Sequence, residues 1–140
     1  NTVIYRLHPH WAPDSAYILY IERTHDLLPD GKILFNSVKL VIRHRFLDIQ
    51  QDIKFPEGYH IQTVCWMSNG QEVLFSAANS EEAYRQGLYE IYRYHLKSGE
   101  MTNLTNHPAR DYEPHWISNT LDVFPFGKLT LQWGQLKQIE

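Results

Sequence analysis

The chain has 140 residues, of which 43% are hydrophobic and 14% aromatic, and its 13 basic and 16 acidic side chains leave a formal net charge of −3. This balance excludes the basic footprint that a nucleic-acid-binding domain requires. The longest apolar runs are about six residues, against the roughly 20 of a membrane-spanning helix, so we expect no membrane insertion. The single cysteine, Cys65, cannot form an internal disulfide, and we expect a buried thiol there.

The first part of the chain predicts a β-hairpin. It contains the phrase Pro9-His10-Trp11-Ala12-Pro13-Asp14-Ser15, and the apolar run Ile18-Leu19-Tyr20 begins seven residues after the tryptophan. Pro, Asp and Ser between two apolar segments are typical of a tight turn between antiparallel strands. We therefore predict a strand that ends near Trp11, a turn and a second strand.

The middle part of the chain repeats this pattern 55 residues later. The phrase is Val64-Cys65-Trp66-Met67-Ser68-Asn69-Gly70, and the apolar run is Val73-Leu74-Phe75. Two more strands are predicted here, over residues 88–96 and 101–105, with the turn Lys97-Ser98-Gly99-Glu100 between them. Four short antiparallel strands in succession are typical of a β-propeller blade.

A third copy opens with Pro114-His115-Trp116-Ile117-Ser118-Asn119, 50 residues after the second, and continues with Val123-Phe124. A repeat of this length indicates stacked modules. We therefore predict an all-β chain, a single partial β-propeller with repeats over about residues 8–62, 63–112 and 113–140. These would supply about two complete blades of four antiparallel strands and part of a third.

The three phrases, together with the connecting stretch 104–116, resemble the TolB-like β-propeller repeat, a WD-repeat-like family. Its blades carry a Trp/Phe-Ser-Pro-Asp-Gly phrase before an apolar strand, and Ala12 and Met67 stand here in place of the usual Ser. The resemblance implies a six-bladed ring in a bacterial periplasmic or secreted protein. Residues 127–137 resemble the closing segment of some bacterial propellers, so we expect a C-terminal portion of a larger protein.

An open arc of three blades leaves apolar blade faces in water. The ring would close either within a longer polypeptide or by association of two copies, which would form a homodimer with twofold symmetry.

Four long segments are expected on one edge of the blades, which we call the long-loop edge. They are residues 22–37 and 78–87, between second and third strands, and residues 55–63 and 106–113, between blades. Loops on a rigid scaffold carry most recognition, and Tyr and Arg often act as interface anchors. The alternative is a hydrophilic edge that is only solvated. The predicted contacts to a protein or peptide partner are Arg23, His25, Tyr59, His60, Tyr84, Arg85, Arg110, Asp111 and Tyr112.

Histidines raise the question of a metal site, but none is predicted. His8 and His10 would share one face of a strand, a spacing that could hold a divalent ion. However, His10 and His115 occupy the same repeat position, which favours a packing role. If a metal were bound, His107 and Asp111 would be the best ligands.

No catalytic residue or cofactor is predicted either. The sequence has no Gly-x-Ser-x-Gly elbow, no Gly-rich phosphate loop and no His-Glu-x-x-His motif. The cluster Arg43-His44-Arg45 is interpreted as a solvated strand end rather than a phosphate site. Two function classes remain open: a non-catalytic binding module, which we favour, and the accessory propeller of an enzyme. The second follows from the resemblance, because similar blades accompany prolyl-oligopeptidase-type peptidases and form certain polysaccharide lyases.

Overall fold

The computed structural model describes residues 1–106 and 110–116. They form two antiparallel sheets of four strands each, in the orders β1-β2-β3-β4 and β5-β6-β7-β8. The elements are β1 Thr2–Trp11, β2 Tyr17–Leu27, β3 Ile33–His44, β4 Gln50–Lys54, β5 His60–Trp66, β6 Glu72–Ala78, α1 Glu81–Gln86, β7 Glu90–His95 and β8 Met101–Asn103. Each sheet is therefore a meander in which consecutive strands pair. Within the described residues neither sheet closes on itself.

The predicted all-β class and the four-stranded pattern of the middle repeat are confirmed. The strand predicted over residues 88–96 is β7, and the one over residues 101–105 is β8. In both sheets the tryptophan of the repeated phrase pairs with the first residue of the apolar run, since Trp11 lies opposite Ile18 and Trp66 opposite Val73. The run at residues 123–124 lies outside the described residues.

The prediction of a long loop over residues 22–37 is wrong. β2 continues to Leu27 and β3 begins at Ile33, so only residues 28–32 form a turn. The Asp30 side chain accepts a hydrogen bond from the Lys32 backbone at 3.1 Å, and Gly31 has a φ of 81°, which a residue with a side chain adopts only at a cost. Asp-Gly between apolar runs is a strong hairpin signal. Arg23 and His25 consequently lie on a strand and not on a loop.

The loop predicted over residues 55–63 is shorter than expected. β5 begins at His60, which leaves residues 55–59 as the connection between the sheets. His60 and Ile61 are buried, at 9% and 0% exposure. Burial against the first sheet thus extends the strand to His60, contrary to its assignment to the loop.

The segment 78–87 contains a short helix rather than an irregular loop. Ser80 caps α1, because its side-chain oxygen accepts a hydrogen bond from the Ala83 backbone at 3.1 Å. Glu81 and Glu82 occupy the first turn, where negative charge is favourable. Gly87 ends the helix in the left-handed conformation, with φ of 68°.

The core lies between the two sheets. Along β2 and β3 alternate residues point towards the second sheet, so the pleat gives the first sheet an inner and an outer face. The indole N–H of Trp66 donates to the carbonyl oxygen of His10 across the sheet interface, at 3.2 Å. The main contributors to the core are Leu19, Ile21, Leu40, Ile42, Ile61, Val64, Trp66, Val73 and Phe75.

The expectation of a buried thiol at Cys65 is confirmed. Its exposure is 6%, and it packs with Met67 and Leu74 on the face of the second sheet that points away from the first. Burial raises the pKa of the thiol above its usual value.

A second repeated feature stands at the ends of β3 and β7. His44 Nδ1 accepts hydrogen bonds from the Phe46 and Leu47 backbones, at 3.2 and 3.0 Å. His95 Nδ1 likewise accepts one from the Ser98 backbone at 3.1 Å. Both histidines therefore fix the turn between the third and fourth strands, a structural role for the strand-end cluster around His44.

Candidate functional site

A row of five rings crosses the long-loop edge and joins the two sheets to the helix. Tyr5 and His25 meet edge to face at 5.2 Å between ring centroids, and His25 meets Phe35 at 5.6 Å. Phe35 stacks on His60 at 4.6 Å, and His60 stacks on Tyr84 at 4.0 Å with 12° between the planes. One ring comes from each of β1, β2, β3, β5 and α1. The row therefore holds the helix against both sheets.

His60 also anchors the helix by a polar contact. Its Nε2 donates to Glu81 Oε2 at 2.9 Å, and Glu81 Oε1 accepts from Arg85 Nε at 3.1 Å. The hydrogen bond from His60 lowers the pKa of the Glu81 carboxyl, and Arg85 lowers it further. The first turn of α1 is thus fixed to β5, while Tyr84 remains 45% exposed.

Arg23 connects the first sheet to the start of the second. Its guanidinium donates to the carbonyl oxygen of Ile61 and lies 3.4 Å from the Gln62 side-chain oxygen. Because both acceptors belong to β5, Arg23 is a bridge between sheets. Its hydrogen-bonding capacity towards a partner is correspondingly reduced.

The segment 110–112 lies beside the C-terminal end of the helix. The Asp111 backbone donates to the carbonyl oxygen of Tyr89 at 3.0 Å, and the rings of Tyr112 and Tyr89 are 4.9 Å apart. The Tyr112 hydroxyl donates to the carbonyl oxygen of Gly87 at 3.4 Å. The Arg110 guanidinium lies so close to Gly87 that a Cβ there would be 3.4 Å from it.

Tyr89 forms the buried floor between these groups. Burial raises the pKa of its phenol, and the nearby Tyr84 and Tyr112 raise it further, while Arg23 acts in the opposite direction. Tyr112 therefore packs on this buried residue from the 110–112 segment. Tyr84 and Tyr112 are themselves 45% and 43% exposed.

Eight of the nine predicted contact residues thus lie around α1 and the ring row. The exception is Tyr59, which stacks on Phe55 at 5.9 Å and meets Tyr92 at 6.2 Å between the sheets. Burial raises the pKa of Tyr92 to about 12, and Tyr59 contributes to the increase. Tyr59 therefore belongs to the margin of the core, although it lies in the loop as expected.

The outer layer of the site consists of two exposed tyrosines, Tyr84 and Tyr112, and two exposed arginines, Arg85 and Arg110. His25, His60 and Arg23 are more deeply placed and support this layer. Sequence reasoning missed the supporting residues Phe35 and Tyr89. The sequence did contain a signal for both residues. Phe35 comes four residues after Gly31 and Tyr89 two residues after Gly87, and each glycine lies in a turn shortly before a strand.

The histidines raised as metal ligands do not form a metal centre in the part of the chain that the structure describes. His8, His10 and His115 line one small cavity with Glu113, and burial lowers the pKa of His10, with His8 and His115 adding to the effect. Among residues 1–106 and 110–116, however, no group of three or more His, Cys, Asp or Glu side chains is arranged to hold a metal ion. His107 lies outside the described residues.

No helix among the described residues is long and apolar enough to cross a membrane. No family model matches the sequence, and no curated protein matches it.

Proposed function

We propose that the chain is part of a β-propeller and acts as a non-catalytic module that binds a protein or an extended peptide at the long-loop edge. The observation that supports this function is the exposed layer of Tyr84, Arg85, Arg110 and Tyr112 on a fixed base. Tyrosine and arginine dominate the energetics of many protein interfaces. A bacterial periplasmic or secreted location is part of the same proposal.

The contacts that hold Tyr84 and Tyr112 in place favour affinity, because they order both side chains in the unbound chain. Tyr84 is held by His60 at a ring distance of 4.0 Å, and Tyr112 is held by Tyr89 and the carbonyl oxygen of Gly87. Side chains that are already ordered lose less conformational entropy on binding. The fixed pair of tyrosines therefore favours recognition over simple solvation of a hydrophilic edge.

The propeller part of the proposal is supported by how the repeated tryptophans meet the preceding repeat. The Trp66 indole donates to the His10 carbonyl oxygen of the first sheet, at 3.2 Å. The Trp116 indole donates to Ser68 Oγ of the second sheet, at 2.8 Å. Each tryptophan thus reaches back to the phrase of the repeat before it, as expected of blades that stack in sequence.

The experiment selects extended peptides from a displayed random library on the purified chain. We expect binders whose contacts, mapped by amide hydrogen exchange, protect α1 and the 110–112 segment. Tyr84→Ala should weaken such a peptide by about tenfold or more, the loss of an interface anchor. The matched control is Tyr5→Ala, since Tyr5 is also an exposed tyrosine of the ring row, at 41% exposure, but lies at its far end on β1.

The proposal fails if the selection yields no binder, or if the selected peptides protect the short turns of the opposite edge instead. Equal losses of affinity in the two tyrosine variants would also contradict it. Circular dichroism of both variants separates a local loss of contact from a loss of fold.

A further inference from the structure

A cavity of about 340 Å³ opens between the two sheets, at the edge opposite the long-loop edge. We call this the short-turn edge, because it holds the turns over residues 12–16, 45–49, 67–71 and 96–100. Each of these turns contributes at least one residue to the lining of the cavity. The volume lies within the range of about 300–1,000 Å³ that is typical of small-molecule sites.

The walls of this cavity include aromatic rings from both sheets. Tyr17 comes from the start of β2 and Trp66 from the end of β5. The ring of Tyr17 meets that of His44 edge to face, at 5.0 Å between centroids. The Trp66 indole N–H donates to the His10 carbonyl oxygen at 3.2 Å. Because these contacts already order both rings, a ligand that packs on them causes little further loss of side-chain entropy.

Among the described residues, the lining of the cavity contains one charged side chain, the carboxylate of Asp14. Asp14 Oδ1 accepts a hydrogen bond from the Ala16 backbone at 2.8 Å, which fixes the carboxylate in the turn after β1. Within residues 1–106 and 110–116, no lysine, arginine or histidine lines the cavity, and Asp14 forms no salt bridge. The cavity therefore combines an uncompensated negative charge with aromatic and aliphatic surface.

This combination determines the chemistry of a ligand that fits the cavity. A carboxylate attracts a cation, and the faces of tyrosine and tryptophan rings attract one as well. A bare metal ion requires several oxygen ligands, whereas an organic cation requires only a counter-charge and an apolar surface for its stem. We infer that the cavity binds a small organic ammonium ion, with its charged head at Asp14 and its apolar stem against Tyr17 and Trp66.

The test is a titration of the isotope-labelled chain with phenethylamine, followed by NMR of its N–H groups. Phenethylamine is protonated at neutral pH and has the aromatic stem that suits the lining. We expect a dissociation constant of about 1 mM or below, which is ordinary for a ligand of this size. The backbone amides of Ala12 and Gly70 and the indole N–H of Trp66 should shift, since all three residues line the cavity.

Two comparisons isolate the contribution of the charge. On the wild-type chain, neutral phenethyl alcohol should bind at least about threefold more weakly than the amine, and anionic phenylacetate at least about tenfold more weakly. Asp14→Asn keeps the side-chain oxygen that accepts from Ala16 and removes the charge, so the amine and the alcohol should then bind equally. The matched control is Asp30→Asn, which should behave as the wild type. Asp30 is also a turn aspartate whose Oδ1 accepts a backbone hydrogen bond, at 3.1 Å, but it lies outside the cavity.

The inference is overturned if the N–H signals of Ala12, Gly70 and Trp66 do not shift with phenethylamine up to about 20 mM. It is also overturned if phenylacetate binds as tightly as the amine, or if Asp14→Asn distinguishes the amine from the alcohol as the wild type does. If Asp14→Asn does not fold, the three probes on the wild-type chain decide the question alone. Peptide binding at the long-loop edge should be the same in Asp14→Asn and in the wild type, so the two proposals fail independently.

Discussion

The burial of Trp66 between the sheets makes a quantitative prediction about stability. Its exposure is 9%, so about 91% of the side chain is removed from water, and its indole N–H bonds the His10 carbonyl oxygen. A buried tryptophan removes about 200 Å² from solvent, worth roughly 5 kcal/mol at about 25 cal/mol per Å². Compactness of the unfolded chain reduces this figure by about 10–40%. Trp66→Ala should therefore lower the free energy of unfolding by about 3–5 kcal/mol.

Trp11 provides the matched control for this prediction. At 57% exposure it keeps about 43% of its surface buried, roughly half the buried fraction of Trp66. Trp11→Ala should cost at most about 2 kcal/mol on the same area scale. The two variants have the same chemistry and the same position in their sheets, so the difference of about 2 kcal/mol reports the sheet interface.

The assay is equilibrium urea unfolding followed by far-ultraviolet circular dichroism, at a concentration at which the chain is monomeric. Circular dichroism follows the sheets themselves, whereas fluorescence would lose one of the four tryptophans in each variant. The slope m should stay constant for a change in stability alone. Losses that agree within about 0.5 kcal/mol would refute the assignment of Trp66 to an interface between sheets.

Three further perturbations test other parts of the structure. Ser80→Ala removes the cap of α1 and should cost about 1 kcal/mol, with faster amide exchange confined to the helix. Lys39→Met leaves Glu22 with one of its two cations and should cost about 1–3 kcal/mol in urea unfolding, whereas Lys32→Met, from an exposed pair, should cost under about 0.5 kcal/mol. The lowered pKa of His10 means that the unfolded chain binds its proton more tightly, so the free energy of unfolding should fall as pH decreases below about 6.5. His10→Gln should reduce that fall, as urea unfolding at pH 7 and pH 5 will measure.

Each comparison has an outcome that contradicts its reasoning. Uniform acceleration of exchange in Ser80→Ala would show that α1 unfolds only with the whole chain. Equal effects of the two lysine variants would show that the Glu22 row is solvated. The same pH dependence in His10→Gln and the wild type would assign the loss of stability to other groups.

The strands were predictable where the sequence signal is local. The hydrophobic runs Ile18-Leu19-Tyr20 and Val73-Leu74-Phe75 predicted β2 and β6 correctly. Each run comes shortly after a turn sequence, and such signals involve only a few neighbouring residues. The hairpin of residues 22–37 was missed for a different reason. Charged residues such as Glu22 and Asp26 resemble a loop in composition, but Asp30-Gly31 forms the turn and the charged side chains belong to two long paired strands.

The sequence predicted most of the residues that lie at the candidate site, but not which of them are buried. An edge rule for meanders places Arg23, His60 and Tyr84 together, and the structure brings them together around α1. The edge rule could not show that the Arg23 guanidinium donates to the carbonyl oxygen of Ile61. It also could not show that His60 is buried between the rings of Phe35 and Tyr84. Such roles depend on contacts between residues far apart in sequence. The exposed and buried members of a site are therefore separated only by the packing of the two sheets.

The two sheets differ where their surroundings differ. Glu22 of the first sheet corresponds to Ala77 of the second, 55 positions later, and the same alignment joins Trp11 to Trp66. Ala77 faces the first sheet and is 0% exposed, so a small apolar side chain fits the interface. Glu22 faces outward and is held between cations on both neighbouring strands. The tryptophan thus stands at the same position in both sheets, whereas the position that Ala77 occupies in the interface between the sheets holds the ion-paired Glu22 on the opposite face of the first sheet.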